Sequence, residues 1–486
     1  MAYETVIGLE VHVQLATQSK AFCRDSAAFG GAPNTHTGVI SLAHPGTLPR
    51  LNKTAVQYAV RLGLSLDCRI NRRSTFDRKN YFYADLPKGF QTTQDANPIC
   101  IGGSLQVKRG DALAPIRLHH IHLEEDAGKS LHDQDPHDSL IDLNRAGVPL
   151  LEIVTEPDFR SAEEVSQFME SMRRLVRWIG VSDGNMEEGS LRCDVNISIR
   201  PEGSETFGTR CEIKNMNSMR FARRAIAYEV ERQVKVLESG GRIEQETRGF
   251  DPQSGETYSL REKENAHDYR YFPEPDLPPV LLSEDYIAQV AHALPELPEA
   301  AQARMQSMYE LNVQDAQTLC NERSAAEYFF LLAENAQKAG VSGKLCANFI
   351  INQLLPWSAG KHLQLSESPV RVENWTAMLT LIEKGAISAS ACYQRLLPAL
   401  LDNPETPPQT LAEQLNLLQD QDSDALSSAV AAVLAKYPEK VAEYKKGKKG
   451  LIGFFMGEVM KASKGKANPQ EATKMIEAHI TPTPNP

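Results

Sequence analysis

Short runs that alternate hydrophobic and polar residues fill the first half of the chain and predict β-strands. The clearest run, residues 5–15, places Glu10 and His12 on one face and valine or leucine side chains on the other. Residues 193–199 and 210–215 alternate in the same way. The residues predicted to share these polar faces are Glu10, His12 and Gln14, then Asp194, Asn196 and Ser198, then Arg210, Glu212 and Lys214.

Two long amphipathic helices are predicted in the same half. Ser161 and Glu164 have the spacing of a capping box before the first helix, and Gly180 ends it. Its apolar stripe consists of Val165, Phe168, Met169, Met172, Val176 and Ile179. The second helix is predicted from about Ser218 to Ser239, before a Gly-Gly pair that is typical of a helix end.

Helical patterns dominate the second half. The proline-rich run 268–279 disfavours both helix and central strand. We therefore predict a domain boundary shortly after this run. Residues 324–327 and 410–413 have capping-box spacing and predict two helix starts. The pattern therefore predicts an α+β protein with a mixed β-sheet domain at 1–295, an all-α helical domain at 296–405 and a small α-helical tail at 406–486.

Composition agrees with three globular domains. The 486 residues include 52 Lys+Arg and 63 Asp+Glu, a net charge of −11, and 41% are hydrophobic, which excludes disorder for most of the length. No run approaches the roughly 18 apolar residues of a membrane span, and the first ten residues do not have a signal-peptide pattern. Eight cysteines without a C-x-x-C pair favour reduced thiols in a cytoplasmic protein.

Acidic residues and histidine recur among strand-forming residues, where they are costly to bury unless they are paired or bound to a metal. The set comprises Glu10 and His12, the histidines and acidic residues of the run 119–129, which include Glu125, and then Glu152, Glu187, Glu188, Asp194 and Glu212. Carboxylates with one imidazole suit Mg²⁺ or Mn²⁺, and such a site could hold ATP phosphates although no P-loop motif is present. Spacing alone leaves open whether these residues meet or are separate salt-bridge partners.

Two basic segments have two interpretations each. Residues 76–91 combine five aromatic residues with Arg78, Lys79 and Lys88, as either a packed turn or a loop that presents cations and stacking faces to a nucleotide or an RNA end. Residues 436–466 hold nine Lys and three Glu, as either a solvated run or a patch that binds phosphates.

Several motifs together resemble a known family. Residues 7–14 read Ile-Gly-Leu-Glu-Val-His-Val-Gln, and residues 122–129 read His-Leu-Glu-Glu-Asp-Ala-Gly-Lys. Further motifs occupy residues 76–83, 85–89, 142–152, 192–196, 212–217 and 457–469. In this order, over essentially the whole chain, they resemble the B subunits of bacterial aspartyl/glutamyl-tRNA(Asn/Gln) amidotransferases.

The resemblance implies a cradle-shaped sheet domain, a helical domain and a tRNA-binding tail. It implies that ATP phosphorylates the side-chain carboxylate of misacylated Glu-tRNA(Gln) or Asp-tRNA(Asn), and that ammonia then displaces the phosphate. The ammonia would come from an amidase A subunit through a channel, with a small C subunit completing the complex. Whether Glu-tRNA(Gln), Asp-tRNA(Asn) or both are substrates is left open.

The resemblance also implies roles for individual residues. His12, Glu125 and Glu152 would hold a resident Mg²⁺, and Glu10, Asp194 and Glu212 would lie near a second ion that arrives with ATP. Catalytic roles would fall to Glu125, Lys79 and Glu10, with Glu125 alternatively facing the ammonia channel beside Lys79 or Lys88. The residues assigned to cofactor binding are Arg78, Lys88 and Lys129.

One departure from the family concerns zinc. Many members carry C-x-C and C-x-x-C, which close a structural zinc site. This chain has Cys23 with Asp25, and Gly38 with Ser41, so one of the four ligands is present. We therefore expect no bound zinc, although Cys23, His36 and His44 leave a different site conceivable.

Two other functions compete with the ligase. A non-catalytic tRNA-binding scaffold would make the acidic residues purely structural. The related subunit that serves only Glu-tRNA(Gln) usually carries an extra inserted domain, for which the motif spacing leaves little room.

Overall fold

The computed structural model describes residues 2–132, 135, 137–216, 218–261, 269–418, 423–462 and 469–480. The chain forms two compact units, Met1–Leu297 and Pro298–Pro486. Helices account for 43% and strands for 20% of the chain, and a large mixed sheet precedes a helical region, which confirms the predicted fold class. The division between residues 405 and 406 stays a prediction. No helix among the described residues is long and apolar enough to cross a bilayer.

The first unit is built on strands. They are β1 Tyr3–Gln14, β2 Arg69–Ile70, β3 Arg73–Ser74, β4 Asp77–Asn80, β5 Phe90–Thr93, β6 Cys100–Ile101, β7 Ser104–Arg109, β8 Ala112–Glu125, β9 Lys129–Leu131, β10 Leu140–Asp142, β11 Pro149–Thr155, β12 Leu191–Pro201, β13 Cys211–Met216, β14 Thr247–Asp251, β15 Glu256–Arg261, β16 Phe272–Pro273 and β17 Val280–Leu281. Its helices are α1 Lys53–Ser65, α2 Ala162–Trp178, α3 Met219–Glu238 and α4 Glu284–His292.

A ten-stranded sheet organises this unit. Its order is β15-β14-β13-β12-β1-β11-β8-β6-β2, with β7 paired to β8. β1 lies in the middle, antiparallel to β11 on one side and to β12 on the other, while β13 and β14 run parallel. The alternation predicted for β1 is confirmed, since Val11 and Val13 are fully buried.

Helix α2 forms as its sequence predicts. Ser161 is the N-cap and accepts a hydrogen bond from the Glu164 backbone N–H. Every residue of the predicted apolar stripe is buried. The helix packs on α3, which in turn covers β12. On the polar face of β12, Asp194 and Ser198 are buried rather than outward-facing.

The second unit is helical. Its helices are α5 Pro298–Tyr309, α6 Val313–Leu319, α7 Arg323–Lys338, α8 Gly343–Phe349, α9 Leu355–Lys361, α10 Val372–Glu383, α11 Ala389–Ala391, α12 Leu397–Asp402, α13 Pro408–Gln414, α14 Ser423–Lys436, α15 Pro438–Lys445, α16 Ile452–Ala462 and α17 Pro469–Ile480. The last four enclose a core around Phe455, Val459 and Ile476.

Two predicted capping boxes in this unit are wrong. Helix α7 has Glu322 as its N-cap, and Glu327 pairs with Arg323 at 2.7 Å instead of reaching back to Ser324. Helix α13 starts at Pro408 because the fixed φ of proline suits a first helical position.

Candidate functional site

Acidic side chains from neighbouring strands meet on one face of the sheet. His12 on β1 lies opposite Glu152 on β11, and Glu10 lies opposite Asp194 on β12. Residues paired across antiparallel strands point to the same side of a sheet. Two groups of potential metal ligands result, with ligand atoms within 4.8 Å of one another in each. Cluster 1 is His12, Glu124 and Glu152, and cluster 2 is Glu10, Asp194 and Glu212.

Cluster 1 differs from the predicted magnesium site in one ligand. His12 Nε2 lies 3.3 Å from Glu152 Oε2 and 3.9 Å from Glu124 Oε1. The predicted member Glu125 does not join it. Glu152 pairs with His122, so Glu124, two residues further along β8, shares their face, and Glu125 points to the opposite face.

Glu125 faces a second cavity instead. Its carboxylate contacts Lys88 Nζ and accepts a hydrogen bond of 2.9 Å from the Thr92 backbone N–H. Together with Phe22 and Cys23 these residues line a cavity of about 400 Å³. This geometry agrees with the alternative in which Lys88 is the partner of Glu125, and the adjacent residues Glu124 and Glu125 serve different cavities.

A smaller cavity lies over cluster 1. It measures about 180 Å³. Its lining includes His12, Lys79, Glu124, Asp126, Glu152, Arg192 and Asp194. The sequence predictions singled out four of these seven residues as site residues and missed Glu124, Asp126 and Arg192. We call it the acidic cavity.

The predicted cations separate in space. Lys79 lines the acidic cavity, with its Nζ 4.8 Å from the Tyr269 ring centroid. Arg78 points to the opposite face of β4, where Glu274 accepts two hydrogen bonds of 2.8 and 2.9 Å from its guanidinium. Lys88 is held by Glu125, and Lys129 lies 5.3 Å from the Phe29 ring. None of the three predicted cofactor-binding cations therefore lines the acidic cavity.

Electrostatics reflect the crowding of carboxylates. Burial would lower the pKa of His12, but its contact with Glu152 raises that pKa to about 9. Burial, followed by the nearby Glu152 charge, raises the pKa of Glu10. In cluster 2 the Lys214 ammonium lies 2.9 Å from Glu212 and 3.4 Å from Asp194. Both clusters thus favour positive charge between their oxygens.

The donor set of cluster 1 fits a hard divalent cation. Two carboxylates and one imidazole nitrogen are ligands that Mg²⁺ and Mn²⁺ accept. A bound cation would take the place of the proton on His12, because an imidazole must be neutral to bind metal. Cluster 2 offers three carboxylates but shares them with Lys214.

At the positions where the motif comparison considered zinc, the side chains form hydrogen bonds with one another. Cys23 Sγ and Ser41 Oγ both donate hydrogen bonds to Asp25 Oδ2, the former at 3.2 Å. A Cβ at Gly38 would collide with the Asp25 carboxylate. Burial raises the pKa of the Cys23 thiol, whereas a zinc ligand is a thiolate. The absence of zinc stays a prediction.

The basic tail has exposed lysines on a small core. Lys445, Lys446, Lys448 and Lys449 are exposed. Lys440 Nζ lies 3.4 Å from the Phe454 ring centroid. Lys464 and Lys466 of the predicted patch, and Asn217 of an earlier motif, lie outside the described residues.

Comparison with known proteins agrees with the motifs. A family model described as the GatB/GatE catalytic domain matches residues 5–288, and one described as the GatB domain matches residues 331–480. The B subunits of several bacterial aspartyl/glutamyl-tRNA(Asn/Gln) amidotransferases are similar: that of Pseudomonas aeruginosa is 47% identical over 99% of this chain and 100% of its own length. Those of Geobacter sulfurreducens and Persephonella marina are 46% and 45% identical over 98% of this chain and 99% of theirs. The chain therefore belongs to the GatB/GatE family.

Proposed function

We propose that this chain is the tRNA-dependent kinase and transamidase subunit of a glutamine-dependent amidotransferase. The names of its relatives support the reaction class. The observation that carries the chemical role is the acidic cavity, in which cluster 1 and Asp194 of cluster 2 lie beside Lys79. The substrates would be Glu-tRNA(Gln), Asp-tRNA(Asn) or both.

The reaction has two steps. In the first, an oxygen of the aminoacyl side-chain carboxylate attacks the γ-phosphorus of ATP. The new O–P bond forms as the bond to the β-phosphate oxygen breaks, and ADP leaves with the electron pair. In the second, ammonia attacks the acyl carbon, the C–O bond to phosphate breaks, and the amide nitrogen loses a proton.

The two clusters and Lys79 would have separate roles. His12, Glu124 and Glu152 would hold one Mg²⁺, and Glu10, Asp194 and Glu212 would lie near a second that arrives with ATP. Bound Mg²⁺ would neutralise charge that develops on the phosphoryl oxygens. Lys79 stays charged, because Glu124 and Glu152 raise its pKa although burial alone would lower it. Its ammonium can therefore attract an anionic substrate.

Other parts of the assembly follow from the same proposal. A partner amidase subunit would release ammonia from glutamine, and a small third subunit would complete the complex. The exposed tail lysines would contact tRNA phosphates. We propose that no zinc is required, because Asp25 and Ser41 fill the family zinc position.

The test uses the reconstituted complex with Glu-tRNA(Gln), ATP, Mg²⁺ and ammonium chloride, which bypasses glutamine hydrolysis. Wild type should form Gln-tRNA(Gln) and release phosphate, and Glu152→Gln should do neither while it still binds tRNA. Glu163→Gln removes a surface carboxylate that pairs with Arg223 and should behave as wild type. Full activity of Glu152→Gln would instead favour a scaffold whose acidic residues are structural.

A further inference from the structure

Arg192 occupies a special place in the acidic cavity. It lies on β12 directly opposite His12 and two residues before Asp194, so its side chain projects from the same sheet face as both clusters. The guanidinium lines the cavity, and the side chain is 24% exposed. No sequence motif for nucleotides includes it, and neither cluster contains it.

A hydrogen bond to Asp126 holds Arg192 in one orientation. Arg192 Nη2 donates a hydrogen bond of 2.9 Å to Asp126 Oδ2. Asp126 is buried, and it also accepts hydrogen bonds from Gln14 Nε2 at 2.6 Å and from the Ala127 backbone N–H at 2.9 Å. A carboxylate fixed in this way restricts the guanidinium, so little side-chain entropy remains to be lost on binding an anion.

Asp126 does not neutralise the local positive charge. Arg145 Nε lies 3.7 Å from the same Asp126 oxygen, so two guanidinium groups share one carboxylate. The group of three carries a net positive charge beside the acidic cavity.

One nitrogen of Arg192 is also unused. Arg192 Nε is buried without a hydrogen-bond partner among the described residues. A buried donor without a partner costs about 1–3 kcal/mol. The unsatisfied donor belongs to a side chain that lines the acidic cavity, so a small adjustment of that side chain would let it meet an acceptor bound there.

The size of the cavity limits what that acceptor can be. At about 180 Å³ the acidic cavity is smaller than the roughly 300–1,000 Å³ of pockets that enclose whole small molecules. It suits a phosphoryl group with the reacting carboxylate, not an entire nucleotide. Arginine binds phosphate oxygens with two parallel N–H donors, a geometry that lysine cannot offer.

We propose that Arg192 is a catalytic residue that binds the γ-phosphoryl group during its transfer from ATP to the side-chain carboxylate. The inference rests on the proposed function and deepens it. While the O–P bond forms and the bond to the β-phosphate oxygen breaks, the guanidinium donates hydrogen bonds to the non-bridging oxygens. It gains and loses no proton. In the acyl phosphate intermediate, the guanidinium keeps its hydrogen bonds to the same oxygens.

The test separates this role from a structural one with a matched control. Arg200 lies on the same strand, and its Nε donates to Glu4 Oε2 at 2.6 Å, but it does not line the acidic cavity. Arg192→Ala, Arg192→Lys and Arg200→Ala are compared in the reconstituted complex. The readouts are ADP release that depends on Glu-tRNA(Gln), kcat and KM for ATP, binding of a non-hydrolysable ATP analogue with Mg²⁺, and thermal unfolding.

Arg192→Ala should lower kcat of ADP release by about 10³-fold, the lower end of the effect of arginines that contact a transferring phosphoryl group. It should also weaken binding of the analogue, and Arg192→Lys should recover only part of either loss. Added methylguanidinium should restore activity to Arg192→Ala and have no effect on Arg200→Ala.

The opposite results are equally clear. If Arg192→Ala loses only thermal stability, as Arg200→Ala can, or keeps ADP release within tenfold of wild type, Arg192 is structural and the inference is wrong. If wild type itself releases no ADP with Glu-tRNA(Gln), the proposed function fails and the inference fails with it. Activity in wild type with no loss in Arg192→Ala refutes the inference alone.

Discussion

The sheet unit and the basic tail both depend on charge, but they place it differently. In the sheet unit, Glu124 and Glu229 are 2% and 0% exposed and are held by hydrogen bonds or ion pairs. In the tail, Lys445 and Lys446 are exposed on α15 and just after it. A buried charge depends on its exact neighbours, and removing one partner lowers the free energy of unfolding by several kcal/mol. An exposed charge contributes little, and nearly independently of its neighbours. Substitutions of buried and of exposed charges should therefore differ in their cost.

The largest effect is expected at Glu229 on α3. This buried carboxylate accepts hydrogen bonds from Arg232 at 2.7 and 2.9 Å, and Arg248 on β14 lies 3.3 Å away. Glu229→Gln removes the fully buried carboxylate that both arginines contact and leaves Glu246 as their shared counter-charge. The loss of the buried partner should lower the free energy of unfolding by about 3–5 kcal/mol. Urea denaturation measures this change.

A control on the same helix sharpens the result. Glu231 is 71% exposed and pairs with Lys235 at 3.8 Å, so Glu231→Gln should cost less than about 0.5 kcal/mol. Equal losses from the two variants would contradict the difference between buried and exposed charge.

The same network predicts a pH dependence. Burial would raise the pKa of Glu229, but hydrogen bonds from Arg232 and Gln233 lower it below its ordinary value of 4.5. A carboxylate with a lowered pKa in the folded state stabilises the protein above its unfolded pKa and loses that contribution as pH falls through the folded value. The stability difference between wild type and Glu229→Gln should therefore be constant above about pH 5 and shrink at lower pH. A difference that grows as pH falls would contradict this assignment.

The next effect concerns the two adjacent glutamates at the end of β8. Glu124→Gln removes a proposed metal ligand and should lower ammonium-dependent Gln-tRNA formation by at least about 100-fold, the upper range for losing a residue that only supports a metal ligand. The apparent Mg²⁺ requirement should rise. Glu125→Gln should leave that Mg²⁺ requirement unchanged, because its partners are Lys88 and Thr92 in the other cavity. A raised requirement in Glu125→Gln alone would restore the ligand set predicted from sequence.

These neighbours show how far sequence analysis reaches. Alternation in β1 predicted that Glu10 and His12 share a face, because a period of two is a local property. Which of Glu124 and Glu125 joins them depends on the pairing of β8 with β11, which no local pattern contains. Arg192 could have been found from the sequence, since extending the alternation of residues 193–199 one residue upstream places it on the same face as Asp194. Its contact with Asp126, 66 residues away, could not have been found in this way.

A smaller effect is expected at Asp25, beside Cys23. Asp25→Ala removes the acceptor of the Cys23 and Ser41 hydrogen bonds and should cost about 1–3 kcal/mol of stability. A strong chelator should leave the unfolding temperature of wild type unchanged. Metal analysis that finds about one zinc per chain, lost in Cys23→Ala, would overturn this expectation.

The smallest effect belongs to the tail. Lys446 has no ion-pair partner among the described residues, whereas Lys448 Nζ lies 3.2 Å from Glu443. If both meet tRNA phosphates, Lys446→Gln should reduce the slope of log affinity against log salt concentration by roughly 0.7–0.9. Lys448→Gln should reduce it by less, because Glu443 already offsets part of that charge. Filter binding of Glu-tRNA(Gln) at several salt concentrations measures both slopes. Unchanged slopes in both variants would identify these lysines as solvated surface charge and would remove the tail from the proposed tRNA interface.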